Sequence, residues 1–462
     1  MNIFRGFCNF IWQNKRYILV FLFSMLVLVF FGFSRNTFDS IWNYGFSFAM
    51  TRGQVPYRDF TMIVPPLYNF VMAIGLKLFS TNNIVFLIEQ SILITIIFCF
   101  LYKMFKEKAW IFLAVMCFPL FVAFCPTYNF FLFFLFVIIL YLEKNNKNDY
   151  LIGMFLAFMV LTKYTVGFFF LIPSIIVFFK DRKKLLRRLV GFLIPCFIFL
   201  IYLLVTKSFI QFIDLCFLGL FDFGKENTIF LTPFFFISLV MFIISILFVV
   251  KDRNNIVYWY ILFSFSVMLP IFTRYHFYVY MLFFSILFIS QDFKISGRFI
   301  KNISLLICLI TVIFNFFLTG AYKNIERFKG INNFQFYYTL NGSKDSFLEA
   351  DKLYDKYSKK GNLIVLATNT SFLKIANEDD FTYFTILNKG NYGYNGTKKL
   401  IKMISKMNDC YYMIFMDDYY IVKKNKSFNY DKSQFDYEVV DYIMAQGEKV
   451  EESNGYFVYY IN

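Results

Sequence analysis

Between Tyr17 and Leu318 the chain returns repeatedly to apolar runs, many near the length that crosses a bilayer, each cut off by a short polar loop. A soluble domain has no use for this. Of 462 residues 59% are hydrophobic and 71 are Phe, more apolar surface than a globular core of that length can hide. Because backbone polar groups in lipid must be satisfied internally, such runs close on themselves as helices. The expected fold class is a polytopic α-helical membrane protein of about eleven spans. The abundance of Phe, Ile, Lys, Asn and Tyr also fits an AT-rich genome, so no single Phe is given a special role.

Charge sets the orientation. The formal net charge is +16, and the Lys and Arg collect in short loops, as cytoplasmic loops do. The densest group, Lys180 to Arg188, reads as a topology determinant beside anionic lipid rather than a nucleic-acid surface. Lys15 and Arg16 precede the first run, Tyr17–Ser34, which lacks a cleavage motif and reads as an uncleaved anchor with its N-terminus inside. Lys103, Lys106 and Lys108 are inside, so only one of Val64–Phe79 and Ile84–Tyr102 can cross. The expectation is that Ile84–Tyr102 spans and Val64–Phe79 lies at or dips into the outer leaflet. Alternation then gives an outer turn at Cys125–Asn129, two short runs (Tyr150–Leu161 and Val166–Phe179) around Thr162–Thr165, and an outer loop Thr206–Asn227. It also gives an outer turn Thr273–His276 and a last run Ile303–Leu318. Broken or short membrane helices tend to mark sites, because their ends need partners.

Past Gly320 the composition turns polar. Residues 321–462 read as a small extracytoplasmic α/β domain of roughly 140 residues. Strands are expected at Asn362–Ala367, Cys410–Met416 and Gly455–Ile461, and helices at Asp345–Lys359 and Phe435–Gln446. The expected division is a multi-span part, 1–320, with its first outer loop at 35–63, followed by 321–462. Of eight Cys only Cys410 lies in the C-terminal part, so that part has no internal disulfide. No CxxC or His cluster suggests zinc.

The topology rests on Lys and Arg counts alone, yet it puts the unusual polar residues on one side: Asp39, Arg52, Arg58, Asp59, Lys163, Arg274 and His276, the only histidine. Carboxylates, cations and a membrane-level position suit a lipid-borne phosphate. Cations bind the phosphate and a carboxylate serves as base. Plainer readings stand beside this. Asp39 could cap a helix, Asp59 could pair locally with Arg58, Lys163 and Arg274 could snorkel to headgroups, and His276 could be structural.

The first outer loop reads D…Y…G-x-x-PYRDF…PPLY, from Asp39 through Gly53, Pro56–Phe60 and Pro65–Tyr68. In this it resembles the membrane glycosyltransferases of the GT-C superfamily, whose members include protein O-mannosyltransferases and transferases of aminoarabinose to lipid A. Leu161–Gly167 is similar to a TK-x-x-x-G element of bacterial members, Arg274-Tyr275-His276 to their outer R-x-x-H-like turn, and Leu387–Gly396 (LNKGNYGYNG) to Gram-positive surface-polysaccharide members. The resemblance covers roughly residues 15–320. It implies an acidic base in the first outer loop, here Asp39. Ser40 stands where a second acid often follows, which makes Asp59 the candidate second carboxylate.

The resemblance implies a glycosyltransferase that takes a sugar from a polyprenyl-phosphate donor outside the cytoplasmic membrane. The acceptor would be a hydroxyl on a surface glycan, glycolipid or protein, and the stereochemistry inverting. Lys163, Arg274, Arg58 and His276 would bind the donor phosphate. A divalent ion between the carboxylates stays open, but no ligand set demands one. The alternatives are a flippase or exporter of lipid-linked oligosaccharide, a polysaccharide polymerase or ligase, and a non-catalytic scaffold. A carrier should show internal symmetry and charge within its spans. A polymerase should carry its large outer part between late spans.

Overall fold

The computed structural model describes residues 2–32, 38–117, 127–226, 232–269, 272, 274–291, 295–318, 344–366, 371–383, 387–415, 436–453 and 455–462. The expected boundary at residue 320 lies outside the described residues. So do Cys125 and Pro126 of the expected outer turn Cys125–Asn129, and the side chain of Asp39. In chain order the helices begin with α1 (Asn2–Gly32), α2 (Phe38–Thr51), α3 (Leu67–Leu78), α4 (Asn83–Phe105) and α5 (Trp110–Cys117). Then come α6 (Tyr128–Lys144), α7 (Asp149–Val160), α8 (Tyr164–Phe178), α9 (Arg182–Val205), α10 (Phe209–Ile213) and α11 (Gly219–Glu226). The apolar series closes with α12 (Pro233–Lys251), α13 (Ile256–Phe263), α14 (Arg274–Ser290) and α15 (Gly297–Leu318).

The chain divides into two compact units that do not follow sequence order. The first holds Met1–Thr37, Asn82–Phe197 and Phe230–Phe334; the second holds Phe38–Thr81, Ile198–Ile229 and Gln335–Asn462. Four described helical stretches are long and apolar enough to cross a membrane by length and composition: Ile84–Cys117, Arg182–Val205, Pro233–Lys251 and Gly297–Phe314. Helix α3, with 12 residues, is only about 18 Å long, well short of the ~30 Å hydrocarbon layer.

Within the first unit, polar residues start the helices where the apolar runs begin. The side chains of Asn82, Asn148 and Asn255 each accept the backbone N–H two residues on, capping α4, α7 and α13. The cationic break expected between Tyr102 and Ala109 is a single turn. Lys106 takes φ 53° and a 3₁₀ turn, Lys106–Ala109, leads into α5. Helices α7 and α9 meet at two glycines. A Cβ on Gly153 would lie 1.9 Å from the carbonyl oxygen of Arg188, and one on Gly191 would lie 2.0 Å from that of Tyr150. Only small residues allow backbones this close.

Beside that crossing sits a buried charge cluster. Arg188 forks onto Glu143 at 2.7 and 2.8 Å, reaches Asp149 at 3.1 Å and donates to Ser174 Oγ at 3.0 Å. Tyr260 OH donates to Glu143 at 3.3 Å, and the guanidinium lies 4.2 Å over the Phe178 ring. The Arg188 side chain is only 4% exposed. The sequence reading left Arg188 in a basic loop; the fold places it inside α9, where one residue ties α6, α7, α8 and, through Tyr260, α13.

In the second unit, residues 344–462 build a four-stranded sheet with β1 (Asn362–Leu366), β2 (Cys410–Phe415), β3 (Glu448–Ser453) and β4 (Tyr456–Ile461) in the order β1-β2-β4-β3. β1 and β2 are parallel, and β4 is antiparallel to both β2 and β3. Alternation along the strands sends Ile364, Leu366, Tyr412 and Ile414 to one face, under α18 (Gly396–Ile404) and α19 (Tyr437–Gln446). Leu363, Val365, Met413 and Val458 go to the other, under α16 (Lys344–Ser358). A short α17 (Ser371–Ala376) follows β1. Three of the four strands and both long helices match the sequence expectation. β3 was missed: its residues Glu-Lys-Val-Glu-Glu-Ser carry three carboxylates, which suits an edge strand that must not pair further.

Candidate active site

The second unit contains the PYRDF loop. Helix α2 is fastened to α3 by a buried pair, Asn69 Nδ2 donating to Asn43 O at 2.8 Å, and Tyr44 OH donates to Thr81 O just past α3. After α2 the chain reverses at Gly53 (φ 88°) and enters the loop. Tyr57 is fully buried at φ 70°, a left-handed conformation rare for an aromatic residue, and its OH donates to Val64 O at 2.9 Å. Such a conformation costs on the order of 1–2 kcal/mol and persists only where packing dictates it. Phe60, also fully buried, stacks on Phe46 and meets Phe381 edge-on.

Asp59 closes this loop on itself. Its carboxylate accepts Val55 N at 2.7 Å while its own N–H donates to Val55 O at 2.9 Å. Arg58 grips the same carboxylate with Nε at 2.8 Å and Nη2 at 2.9 Å. The Arg58 guanidinium, helped by the Val55 amide, holds the Asp59 carboxyl below its ordinary range. Asp59 is therefore a loop fastener in this geometry. Asp39 is the second residue of α2.

The same loop is docked on the C-terminal part of its own unit. Gln54 makes a reciprocal pair with Phe381, donating Nε2 to its O and accepting its N–H, both at 2.8 Å. Arg52 Nε donates to Asp380 at 2.7 Å and Thr61 N to Tyr383 O at 2.9 Å. The LNKGNYGYNG stretch is held in turn by two carboxylates of residues 198–229. Asp214 accepts Tyr394 N at 3.2 Å and Lys399 Nζ at 2.6 Å, and Asp222 accepts Asn395 N. Gly393 has φ +81°, and a Cβ there would lie 2.4 Å from Asp214 Oδ2, so both backbone and space require glycine.

The first unit gathers the remaining candidates. Lys163 is the residue that caps α8; it is buried, with Nζ 3.1 Å from Asn129 Oδ1 and 5.5 Å from the centre of the Tyr128 ring. It does not snorkel. Lys163 and His276 are close enough to act on each other electrostatically. His276 sits in the first turn of α14, where neighbouring Tyr275 bonds Thr127 through their hydroxyls. Arg274, exposed, opens the same turn and lies over the Phe234 ring. Three helices, α6, α8 and α14, thus begin where Lys163, His276 and Arg274 collect, and helix N-termini carry partial positive charge. Asn129 escaped the sequence reading because a lone Asn beside a Pro-Thr-Tyr turn looks like turn chemistry.

The structure therefore brings together the turns that carry Lys163 and His276, with Arg274 in the same turn as His276, and pairs Arg58 with Asp59. The two groups belong to different units. Among the described residues no group of three or more His, Cys, Asp or Glu could hold a metal.

Residues 64–208 match the model of the dolichyl-phosphate-mannose-protein mannosyltransferase family. That segment contains Asn129 and Lys163. No curated protein matches the chain. Two crystal structures of ArnT from Cupriavidus metallidurans share the fold at 11% sequence identity. The apo state aligns over 97% of this chain and 98% of that one with a TM-score of 0.54. The form bound to undecaprenyl phosphate aligns over 96% and 98%, with a TM-score of 0.53. The likeness to GT-C membrane glycosyltransferases, first read from the sequence motifs, is thus met twice, by a family model over residues 64–208 and by a shared fold over nearly the whole chain.

Proposed function

We propose that the protein transfers a sugar from a polyprenyl-phosphate donor to a hydroxyl of a surface glycan, glycolipid or protein, on the outer face of the cytoplasmic membrane. The family match over residues 64–208 and the ArnT-like fold support glycosyl transfer. The observation that carries the donor class is the gathering of Lys163, His276 and Arg274 where three helices begin. A phosphate monoester or diester is the anion such a place suits.

Asp39 takes the proton of the acceptor hydroxyl as its oxygen attacks the anomeric carbon. The bond from that carbon to the phosphate oxygen breaks, and the polyprenyl phosphate leaves with its charge stabilised by Lys163, Arg274 and Arg58, while His276 donates a hydrogen bond. One displacement inverts the anomeric centre. Asp59 keeps the loop shaped rather than reacting. The membrane part, residues 1–320, holds the isoprenoid tail, α3 resting at the lipid surface. Residues 321–462 shape the acceptor side.

The test is transfer of radiolabelled sugar from polyprenyl-phosphate donors by purified protein, wild type beside Asp39→Asn. Transfer that collapses in a folded variant supports the base; equal transfer by both removes Asp39 from that role.

A further inference from the structure

Asn129 is completely buried, yet its Nδ2 has no hydrogen-bond partner among the described residues. The assignment of its two ends follows from its neighbour. Lys163 Nζ can only donate, so the end 3.1 Å away is the carbonyl oxygen and the NH₂ group is the end left over. A buried donor without an acceptor is costly to keep. The hydroxyl of Thr165, in the first turn of α8, is also buried and without a partner among the described residues. Thr165 shares the turn of Lys163, Asn129 opens α6 against that turn, Thr127 of the same α6 turn bonds Tyr275 between Arg274 and His276, and none of these residues is acidic.

We propose that Asn129 is a binding residue for the anionic head of the donor: its Nδ2 donates to a phosphate oxygen, while its Oδ1 keeps the Lys163 ammonium turned to the same anion. This rests on the donor-phosphate reading above. A neutral amide does both tasks at once. An Asp in its place would pair with Lys163, cancel its charge and repel the ligand, whereas a Leu would remove the donor and leave the charge.

The experiment measures binding of a labelled polyprenyl phosphate to the full-length protein in detergent. Unphosphorylated polyprenol and inorganic phosphate serve as competitors. Thermal stability is followed in parallel for wild type, Asn129→Leu, Asn129→Asp and Lys163→Met. The expected affinity order is wild type, then Leu weaker by about tenfold, then Asp weaker still. Stability should run the other way between the two variants, because Asp satisfies the buried Lys163 and Leu does not. Competition by inorganic phosphate but not by polyprenol supports the contact with phosphate oxygen. Variants of Asn129 that bind like wild type, while Lys163→Met binds poorly, overturn the role of Asn129 alone. Affinity losses that merely follow stability losses overturn it too. A wild type that binds no polyprenyl phosphate, or a Lys163→Met that binds normally, overturns the donor-phosphate reading and this inference with it.

Discussion

At the scale of single residues, the notable carboxylates here act by what they hold. Asp59, kept ionised by Arg58, contributes order to the PYRDF loop that is present at neutral pH and is lost as pH falls through its lowered pKa. Asp436 behaves oppositely. It is fully buried, accepts Thr397 Oγ1 at 2.6 Å, and burial pushes its pKa up to about 6. An acid raised in the folded state favours folding while protonated. Stability should therefore fall as pH rises from about 4 to about 6, by roughly 3 kcal/mol, and then level off. Thermal unfolding of wild type against Asp436→Asn checks this: the variant should lose that slope, and two parallel curves would refute it. Gly393 offers a second test. Gly393→Ala meets both a left-handed backbone and the Asp214 carboxylate, so it should cost about 1–3 kcal/mol, read as a melting temperature lowered further than in Gly53→Ala, whose backbone is also left-handed but whose added Cβ would meet nothing within 4 Å.

At the scale of elements, the charge cluster around Arg188 binds helices that the apolar pattern alone would leave free to slide. Arg188→Met should destabilise by about 3–5 kcal/mol, because Glu143 and Asp149 would keep buried charge without their cation. Adding Glu143→Gln to it should recover part of the loss, and thermal melts of the single and double variants in detergent measure both effects. Why the sequence concealed this is physical. A run of Lys and Arg at a membrane edge is the ordinary mark of an inner loop, and nothing local separates Arg188 from Arg187. Lys163, by contrast, stands out in the sequence as a cation between two short apolar runs, although the sequence alone left open that it snorkels. The central strands were legible from their apolar residues, whereas β3 hid behind its own charge. The close approach of the turns at Asn129, Lys163 and His276 depends on three segments distant in sequence, so periodicity carries no trace of it.

At the scale of the whole molecule, unit two is assembled from three separated pieces of chain, and the PYRDF loop gets its shape from the last of them. Replacing Gln54 by Ala should loosen both sides of its reciprocal pair. Hydrogen exchange followed by mass spectrometry should show faster amide exchange at 54–61 and at 380–383 together, with the sheet of residues 362–461 unchanged. Faster exchange at only one side would show that the two segments are held independently. The polytopic helical class was legible because apolar run length reports it directly. The composite unit was not, since it joins residues 38–81 and 198–229 to the C-terminal part and sequence order carries no sign of that grouping.

The Gln54–Phe381 pair also imposes an order in time. Its partners stand 327 residues apart. A ribosome adding 5–20 residues per second needs roughly 15–65 s to deliver the second after the first. Throughout that interval the loop exists without its template, and Tyr57 has no reason to adopt its unfavourable backbone. A message cut short anywhere before codon 381 would yield a PYRDF loop that never meets its template, so a late stretch of translation decides whether an early loop takes its shape.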